Sequence, residues 1–125
     1  MTPPRIANKD CRAYVKANSS FDGSNLFASH RVVGTYPHTN CRHYSVYSYG
    51  FHYPMFIYVP EVGWFENEDR FVLPNGDYSR STERQRSHAH PHTDTYKLST
   101  DAMRYLDDKG YRQFVRDYLT TGETA

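Results

Sequence analysis

The stretch Pro54-Met55-Phe56-Ile57-Tyr58-Val59-Pro60 decides the fold of this chain. Its inner residues are apolar, aromatic or β-branched, which is typical of a β-strand. Proline is tolerated at the first position of a strand and just beyond its end, so both prolines fit. Alternate residues of a strand face opposite ways, and here both alternating sets are apolar. We therefore predict an interior strand of a sheet that is covered on both faces.

The segments around this stretch predict further short strands. Four runs are rich in aromatic or β-branched residues and are bounded by turn residues: 31–33, 43–49, 64–67 and 70–73. The last of them stops at Asn75-Gly76, which is a favoured hairpin turn. Short strands joined by short turns pair antiparallel, so the sequence predicts a β-meander of about four to five strands.

The C-terminal end of the chain predicts two short helices. Ser99 is placed as the N-cap of the first helix, and Gly110 is placed as the residue that ends it. Apolar residues then recur at the helical spacing: Tyr111, Phe114, Val115, Tyr118 and Leu119. The predicted fold class is therefore α+β, with a small antiparallel β-meander packed against two short C-terminal helices.

Residues 1–20 show no hydrophobic period, so we expect a flexible N-terminal arm ahead of one α+β domain at residues 21–125. The arm is basic, because four cations stand against the single acid Asp10: Arg5, Lys9, Arg12 and Lys16. A short helix over residues 7–17 is the alternative, but its apolar face would consist only of Ala13, Tyr14 and Ala17.

The composition narrows the classes of function. The chain has 125 residues, a net charge of +1 and 16% aromatic residues, including twelve Tyr. A free-standing nucleic-acid binder is usually more basic than this. No stretch reaches the length of a membrane span, and the first residues lack the apolar core of a secretory leader. We expect a cytoplasmic protein with no membrane partner and with Cys11 and Cys41 reduced, while a disulfide between them stays open.

Residues 80–96 are polar and predict a connector with a single helical turn at residues 82–85, broken at residues 88–91. Within it three histidines alternate: His88, His90 and His92. Alternate residues of an extended chain face the same way, so the three imidazoles could hold Zn²⁺ or a similar ion. The alternative, which the polar neighbours favour, is a solvated histidine-rich loop. No other cofactor is expected.

A compact group of carboxylates follows the 64–67 strand, with Glu66, Glu68 and Asp69 close together. Glu66 and Glu68 share a face if the strand continues. Together with His52 or His88 they could serve a metal-assisted hydrolase or a nuclease. The alternative, which we favour, is an exposed acidic turn.

Candidate binding residues lie in a ring-rich turn and in a basic segment. Tyr49, His52 and Tyr53 surround Gly50 between two predicted strands, and loops of this kind often carry function. The basic segment adds four more candidates: Tyr78, Arg80, Arg84 and Arg86. Arg and Tyr are enriched at protein–protein hot spots and also contact phosphates and bases, so both kinds of partner fit. The alternative is that the rings pack on the core and the basic segment is a solvated connector.

Four stretches of the chain form a further pattern: FDGSNL (21–26), YSYGFHYP (47–54), WFENEDR (64–70) and SRST (79–82). This pattern resembles a family of small uncharacterised proteins from tailed bacteriophages. Here residues 71–78 separate the last two stretches, which directly follow one another in that family. The resemblance implies a viral accessory protein acting in the host cytoplasm, and it implies no particular chemistry.

These observations predict a non-enzymatic phage accessory protein that binds a host or phage protein, with nucleic acid as the less favoured partner. Nucleotide-binding glycine loops and the Gly-x-Ser-x-Gly motif do not occur, which argues against nucleotide-dependent enzymes and serine hydrolases. A metal-assisted hydrolase or nuclease and a nucleic-acid-binding protein stay open as alternatives. The oligomeric state stays open as well.

Overall fold

The computed structural model describes residues 3–33, 41–69 and 80–120, except for the side chains of residues 80–82, 119 and 120. At its centre lies a six-stranded sheet in which each strand neighbours the next one in sequence. The strands are β1 (Phe21–Asp22), β2 (Leu26–Val33), β3 (Cys41–Ser48), β4 (Pro54–Val59), β5 (Gly63–Asn67) and β6 (Thr95–Leu98). Strands β1 to β5 pair antiparallel, whereas β6 runs parallel to β5.

Helices lie before, between and after the strands. They are a 3₁₀ turn (Asn8–Asp10), α1 (Arg12–Lys16), α2 (Arg80–Ala89), α3 (Thr100–Lys109) and α4 (Tyr111–Phe114), which continues as a π-helix (Val115–Thr120). The α+β fold class is confirmed. The predicted strand count is wrong, because six strands form the sheet, and the helices are not confined to the C-terminus. Within the described residues, no helix has the length and apolar character that crossing a membrane requires.

The deciding stretch forms β4 with bounds Pro54–Val59. Strand β3 pairs with it on one side and β5 on the other. Every residue of β4 is buried except Tyr58, which is half-buried. The prediction of an interior strand covered on both faces is therefore confirmed. The predicted run at 70–73 and its hairpin turn lie outside the described residues.

Helices cover both faces of the sheet. On one face, called here the α2 face, Tyr44 and Phe56 share a core cluster with Val15 of α1 and Ala89 of α2. On the opposite face, called the α3 face, Ile57 packs in a second cluster with residues of α3 and α4: Ala102, Met103, Leu106 and Phe114. The sequence predicts the C-terminal helices as a cover but gives no sign of the cover on the α2 face.

The N-terminal segment differs from the flexible arm that the sequence predicts. Cys11 and Val15 are each 0% exposed, one helical turn apart, and belong to the core cluster of the α2 face. The Arg12 guanidinium donates to the carbonyls of Ser87 and His90 at the end of α2, with Nε 3.0 Å from the latter oxygen. A helix as short as α1 is unstable alone, so tertiary burial supports it, and no local sequence pattern reports that burial.

Residues 80–96, predicted to be a connector with one helical turn, form the ten-residue helix α2 and the start of β6. Gln85 and Ala89 lie one turn apart on α2 and both are buried. Parallel strands need a crossover connection, and α2 supplies it between β5 and β6. Because Thr95–Leu98 is short and polar, its alternation does not identify it as a strand.

The predicted boundaries of α3 are confirmed by the cap contacts. The Ser99 hydroxyl accepts a hydrogen bond from the Ala102 amide at 3.2 Å. At the other end Gly110 has φ +89° and donates its amide to the Leu106 carbonyl at 3.0 Å. A Cβ atom at Gly110 would lie only 2.8 Å from Cys41 Cβ, so both the backbone conformation and the close approach require glycine.

Candidate functional site

The connection between β3 and β4 presents aromatic rings to solvent. We call residues 49–52 the aromatic turn. Tyr49 is 44% exposed and Phe51 is 62% exposed, and His52 is exposed as well. Most large apolar rings of a folded chain are buried, so two exposed rings at positions 49 and 51 are an informative exception. The aromatic turn is therefore the first candidate for a contact surface.

The backbone of the aromatic turn is held in one shape. The Tyr49 amide donates to the Asn25 carbonyl at 2.8 Å, which ties the turn to the neighbouring β1–β2 connection. Tyr49 has φ +63°, a left-handed conformation that is rare for an aromatic residue and costs about 1–3 kcal/mol. Gly50 has φ +147°, and a Cβ atom there would lie 2.9 Å from His52 Nδ1. The chain thus tolerates backbone strain to present these side chains.

The Phe51 ring stands on two other rings. Its centroid lies 5.2 Å from that of Phe27 and 4.8 Å from that of Tyr47, both in edge-to-face geometry. Phe27 and Tyr47 in turn stack on each other at 5.1 Å across β2 and β3. This packing fixes one side of the Phe51 ring and leaves the other side in water. A partner that covers the ring would gain apolar burial with little loss of side-chain freedom.

Tyr53, at the base of the turn, is an anchor and is only 4% exposed. Its hydroxyl donates to the Asp69 carbonyl at 2.5 Å and accepts from Arg86 Nη2 at 2.7 Å. Burial raises the pKa of Tyr53, and the neighbouring Arg86 opposes that rise without cancelling it. The phenol therefore stays neutral and holds the aromatic turn to α2.

Arg86 faces the interior of the molecule. Its guanidinium contacts Glu66 at 3.3 Å and Glu83 at 3.0 Å, and it also donates to the Asn67 carbonyl. Its side chain is only 15% exposed. Although burial acts to lower the pKa of Arg86, its neighbours Tyr53, Glu83 and Glu66 raise it. Arg86 therefore fastens α2 to the sheet and is not free to bind a partner.

Glu66 is the centre of this polar group, which we call the Glu66 cluster. One of its carboxylate oxygens lies 2.8 Å from Thr95 Oγ1, 3.1 Å from Lys97 Nζ and 3.4 Å from His90 Nε2. Burial acts to raise the pKa of Glu66, but the hydrogen bonds from Thr95 and Lys97 outweigh it, so the pKa is lowered. Glu66 is thus a fixed anion that joins β5, β6 and α2.

A cavity of about 410 Å³ opens beside the Glu66 cluster, lined by Glu66, Glu68, Glu83, Arg86 and Lys97. The predicted carboxylate group is divided there: Glu66 points into the cluster, whereas the Asp69 carboxylate accepts the Thr100 amide at 2.7 Å, at the start of α3. Both cations that line the cavity are paired with carboxylates of the same chain. The arrangement is suited to holding elements together.

The three histidines predicted as a metal site do not converge. His88 lies on α2, which is helical, so the extended geometry assumed for the triplet does not hold. His90 turns its Nε2 to Glu66, and its Nδ1 accepts the His92 amide at 3.0 Å. His92 is exposed, and the nearby Arg12 lowers its pKa. Across residues 3–33, 41–69 and 80–120, no three His, Cys, Asp or Glu side chains are grouped to hold a metal ion.

A second polar group, the Asp107 cluster, lies sealed beneath α3. His43 Nε2 and Ser45 Oγ lie 2.7 and 2.6 Å from Asp107 Oδ1, and the Tyr47 hydroxyl donates to Oδ2 at 2.6 Å. These four side chains are at most 3% exposed. Burial acts to raise the pKa of Asp107, but the hydrogen bonds from His43, Ser45 and Tyr47 outweigh it and lower the pKa.

The Asp107 cluster contains Ser, His and Asp, but its geometry differs from a catalytic triad. In a triad the imidazole lies between the serine and the aspartate and takes the serine proton. Here Ser45 and His43 both contact the same oxygen of Asp107, so the imidazole does not bridge them. The cluster therefore fixes α3 to β3 and offers no activated nucleophile.

The predicted binding residues thus separate into three sets. Tyr49 and His52 lie in the aromatic turn and are exposed, and Arg84 is exposed on α2. Tyr53 and Arg86 are internal fasteners. Tyr78 and the side chain of Arg80 lie outside the described residues. The prediction did not include Phe51, although its position next to Gly50 in a turn was the signal: an apolar ring at a loop tip has little core to enter.

No protein-family model, no curated protein and no solved structure matches this chain. The aromatic turn directs its side chains outward, whereas the Glu66 and Asp107 clusters direct their hydrogen-bonding groups at one another.

Proposed function

We propose that this chain is a non-enzymatic binding protein whose aromatic turn docks against a protein partner. The observation that carries the proposal is the Phe51 ring, which is 62% exposed on a turn held by the Tyr49 and Tyr53 contacts. Aromatic residues are enriched at protein interfaces, and rigid anchors lose little entropy on binding. The resemblance to small phage proteins makes an accessory role toward a host or phage protein the setting that we propose.

A non-enzymatic role is supported by the two polar clusters. General acid–base chemistry needs a group that can exchange a proton near the working pH and can reach a substrate. The pKa values of Glu66 and Asp107 are both lowered, so both groups stay ionised near neutrality. Their hydrogen-bonding capacity is used within the chain by helices and strands that they join.

A protein partner is favoured over nucleic acid by charge. Phosphate contacts by Lys and Arg supply most of the affinity of nucleic-acid binders. The aromatic turn contains no Lys or Arg, and the whole chain has a net charge of only +1. Arg86, which contacts the base of the turn through the Tyr53 hydroxyl, is also paired with Glu66 and Glu83.

Affinity capture tests this proposal. Tagged wild-type protein and the variant Phe51→Ala are used as baits in lysate of the host cell, with and without nuclease. We expect the wild type to retain a protein partner after nuclease treatment, and Phe51→Ala to retain at least about tenfold less of it. The matched control is Val32→Ala, because Val32 is also apolar and is 58% exposed but lies on β2. Equal capture by Phe51→Ala and the wild type, or capture that nuclease abolishes, would contradict the proposal.

A further inference from the structure

The N-terminal helical segment carries a row of cations on its outer side. Cys11, between the 3₁₀ turn and α1, has right-handed helical angles, so residues 8–16 form continuous helical turns. Lys9, Arg12 and Lys16 follow one another at the spacing i, i+3, i+7, and residues at that spacing share one face of a helix. The segment therefore has an inner side that buries Cys11 and an outer side that presents positive charge.

The two lysines of this row are available for contact. Lys9 and Lys16 are exposed, and neither forms a hydrogen bond or an ion pair with another residue that the structure describes. Asp10, the only acid of the segment, follows Lys9 directly and therefore points about 100° away from it around the helix. Arg5 is not part of the row, because it is paired with an aspartate of β1 at 3.2 Å. The row thus keeps its positive charge.

His92 brings a further base to the same place. The Arg12 Nε donates to the carbonyl of His90 at 3.0 Å, and the His92 amide donates to His90 Nδ1 at 3.0 Å. Arg12, and more weakly His90 and Lys16, lower the pKa of the exposed His92, because these basic groups lie close to its imidazole. His92 also has φ +57°, which is uncommon outside glycine. We call Lys9, Arg12, Lys16 and His92 the basic face.

The basic face matches an extended polyanion better than a single anion. Its helical cations are spaced about one turn apart, so they follow a line of roughly 10 Å along the helix axis and do not surround a point. Each strand of a nucleic acid carries one phosphate per roughly 3.4 Å of helix axis, which is a line of closely spaced negative charges. The row can therefore contact several phosphates of one strand at once.

The neighbours of these cations favour nucleic acid over a protein or a membrane. Protein interfaces are depleted in Lys and depend on buried aromatic anchors, and a helix that lies on a membrane inserts apolar side chains into it. The exposed residue beside the row on α1 is the small Ala13. Large exposed apolar side chains of the described residues lie on other elements: Val32, Tyr49, Phe51, Tyr96 and Tyr118. Phosphate contacts by Lys and Arg need no such anchor.

We propose that the basic face binds the phosphate backbone of a nucleic acid and does not read its bases. The proposal goes beyond the proposed function, because the basic face and the aromatic turn share no residue. The net charge of +1 is compatible with it, since charges are unevenly placed: residues 61–69 carry four carboxylates and no Lys or Arg. Without an exposed ring for base stacking, duplex and single strand should both bind through their phosphates.

Fluorescence anisotropy with a labelled DNA duplex and a labelled single strand of equal length tests this proposal at several salt concentrations. The test variant combines Lys9→Gln with Lys16→Gln, which are exposed positions whose change leaves the core intact. The matched control combines Arg104→Gln with Lys109→Gln, which removes two exposed cations of α3 and alters the net charge equally. Arg12 is left unchanged because it also holds the end of α2.

We expect the wild type and the control to bind the duplex with an affinity that falls steeply as salt rises. The test variant should bind about tenfold more weakly at low salt. Its plot of log affinity against log salt should be shallower by about 2, because each lost phosphate contact removes about 0.9 from the slope on duplex DNA. Phe51→Ala should bind the duplex as the wild type does, since it changes only the aromatic turn.

The His92 imidazole gives the position of the contact. A phosphate beside it favours the protonated form, so the pKa of His92, followed by NMR, should rise when the duplex is added to the wild type. Four results would overturn the proposal: no binding at low salt, equal affinity of the test variant and the control, an unmoved His92 pKa at saturation, or tighter binding of poly-glutamate or phosphatidylserine vesicles than of the duplex. None of them would affect capture through Phe51.

Discussion

The Asp107 cluster and the Glu66 cluster perform the same task on opposite faces of the sheet by different means. Each places one carboxylate with a lowered pKa between helical residues and the sheet. Asp107 is 3% exposed and lies within 2.6–2.7 Å of the hydroxyls of Ser45 and Tyr47 and of His43 Nε2. One cation lies farther away, with Arg31 Nε 3.7 Å from Asp107 Oδ1. Glu66 is satisfied mainly by cations, beside an open cavity of about 410 Å³.

The two clusters differ in what the loss of a partner would cost. A sealed carboxylate that loses its partners suffers the full cost of desolvation, whereas an open ion pair is screened by water and salt. In both clusters the hydrogen bonds and ion pairs join elements of the same chain. The aromatic turn shows the opposite design, because its backbone is fixed while its rings remain in solvent.

The largest effect is expected for Asp107→Ala. The change leaves Ser45, Tyr47 and His43 without their shared acceptor, so the free energy of unfolding should fall by about 3–5 kcal/mol. Urea unfolding measures it. The matched control is Asp108→Ala, because that side chain is 66% exposed and should change stability by less than about 0.5 kcal/mol. Similar losses in the two variants would show that the cluster is not the fastener described.

Acid should destabilise the protein through the carboxyl groups of Asp107 and Glu66. Each has a lower pKa in the folded chain than in the unfolded chain, so the unfolded chain binds more protons as the pH falls. Their contribution is complete above the unfolded values of about 4 and is lost as the pH falls through the lower folded values. Urea midpoints measured between pH 7 and acid conditions check this. A stability that rises below about pH 4 would contradict the lowered pKa values.

A smaller loss is expected for Glu66→Gln. The substitution keeps the shape but removes the charge that Arg86 and Lys97 share, so unfolding should become easier by about 1–3 kcal/mol. Because the cluster is open, the difference from the wild type should shrink at high salt. Glu68→Gln on the rim of the same cavity is the control. If Glu66→Gln lowers the free energy of unfolding as much as Asp107→Ala does, and salt does not change that loss, the two clusters do not differ in the way described.

The parts of the fold that could be predicted are those fixed by local chemistry. Strand β4 can be predicted from the sequence because both of its faces are apolar. The ends of α3 can be predicted because Ser is favoured at a helix N-cap and Gly at the position that ends a helix, as at Ser99 and Gly110. Strand β6 and helix α1 cannot, because neither has an apolar pattern of its own. Their places depend on partners far along the chain, such as the α2 carbonyls that Arg12 reaches 75 and 78 residues away.

The candidate site was predictable to a similar degree. The ring-rich turn around Gly50 is enough, from the sequence alone, to indicate Tyr49 and His52 as candidates. Arg86 could not be assigned, because the groups that turn it inward, Glu66 and Tyr53, lie 20 and 33 residues earlier in the sequence. A basic residue in a polar segment has the same local pattern whether it faces solvent or a buried carboxylate.

If the exposed Phe51 ring serves a partner more than the fold, its removal should abolish binding and cost little stability. The most direct test is urea unfolding of Phe51→Ala, measured on the same preparation that is used for capture. We expect the free energy of unfolding to fall by only about 0.5–1.5 kcal/mol, from the lost edge-to-face contacts with Phe27 and Tyr47, together with the loss of binding. A loss of stability near the ~3 kcal/mol of a core phenylalanine, with binding unchanged, would contradict it.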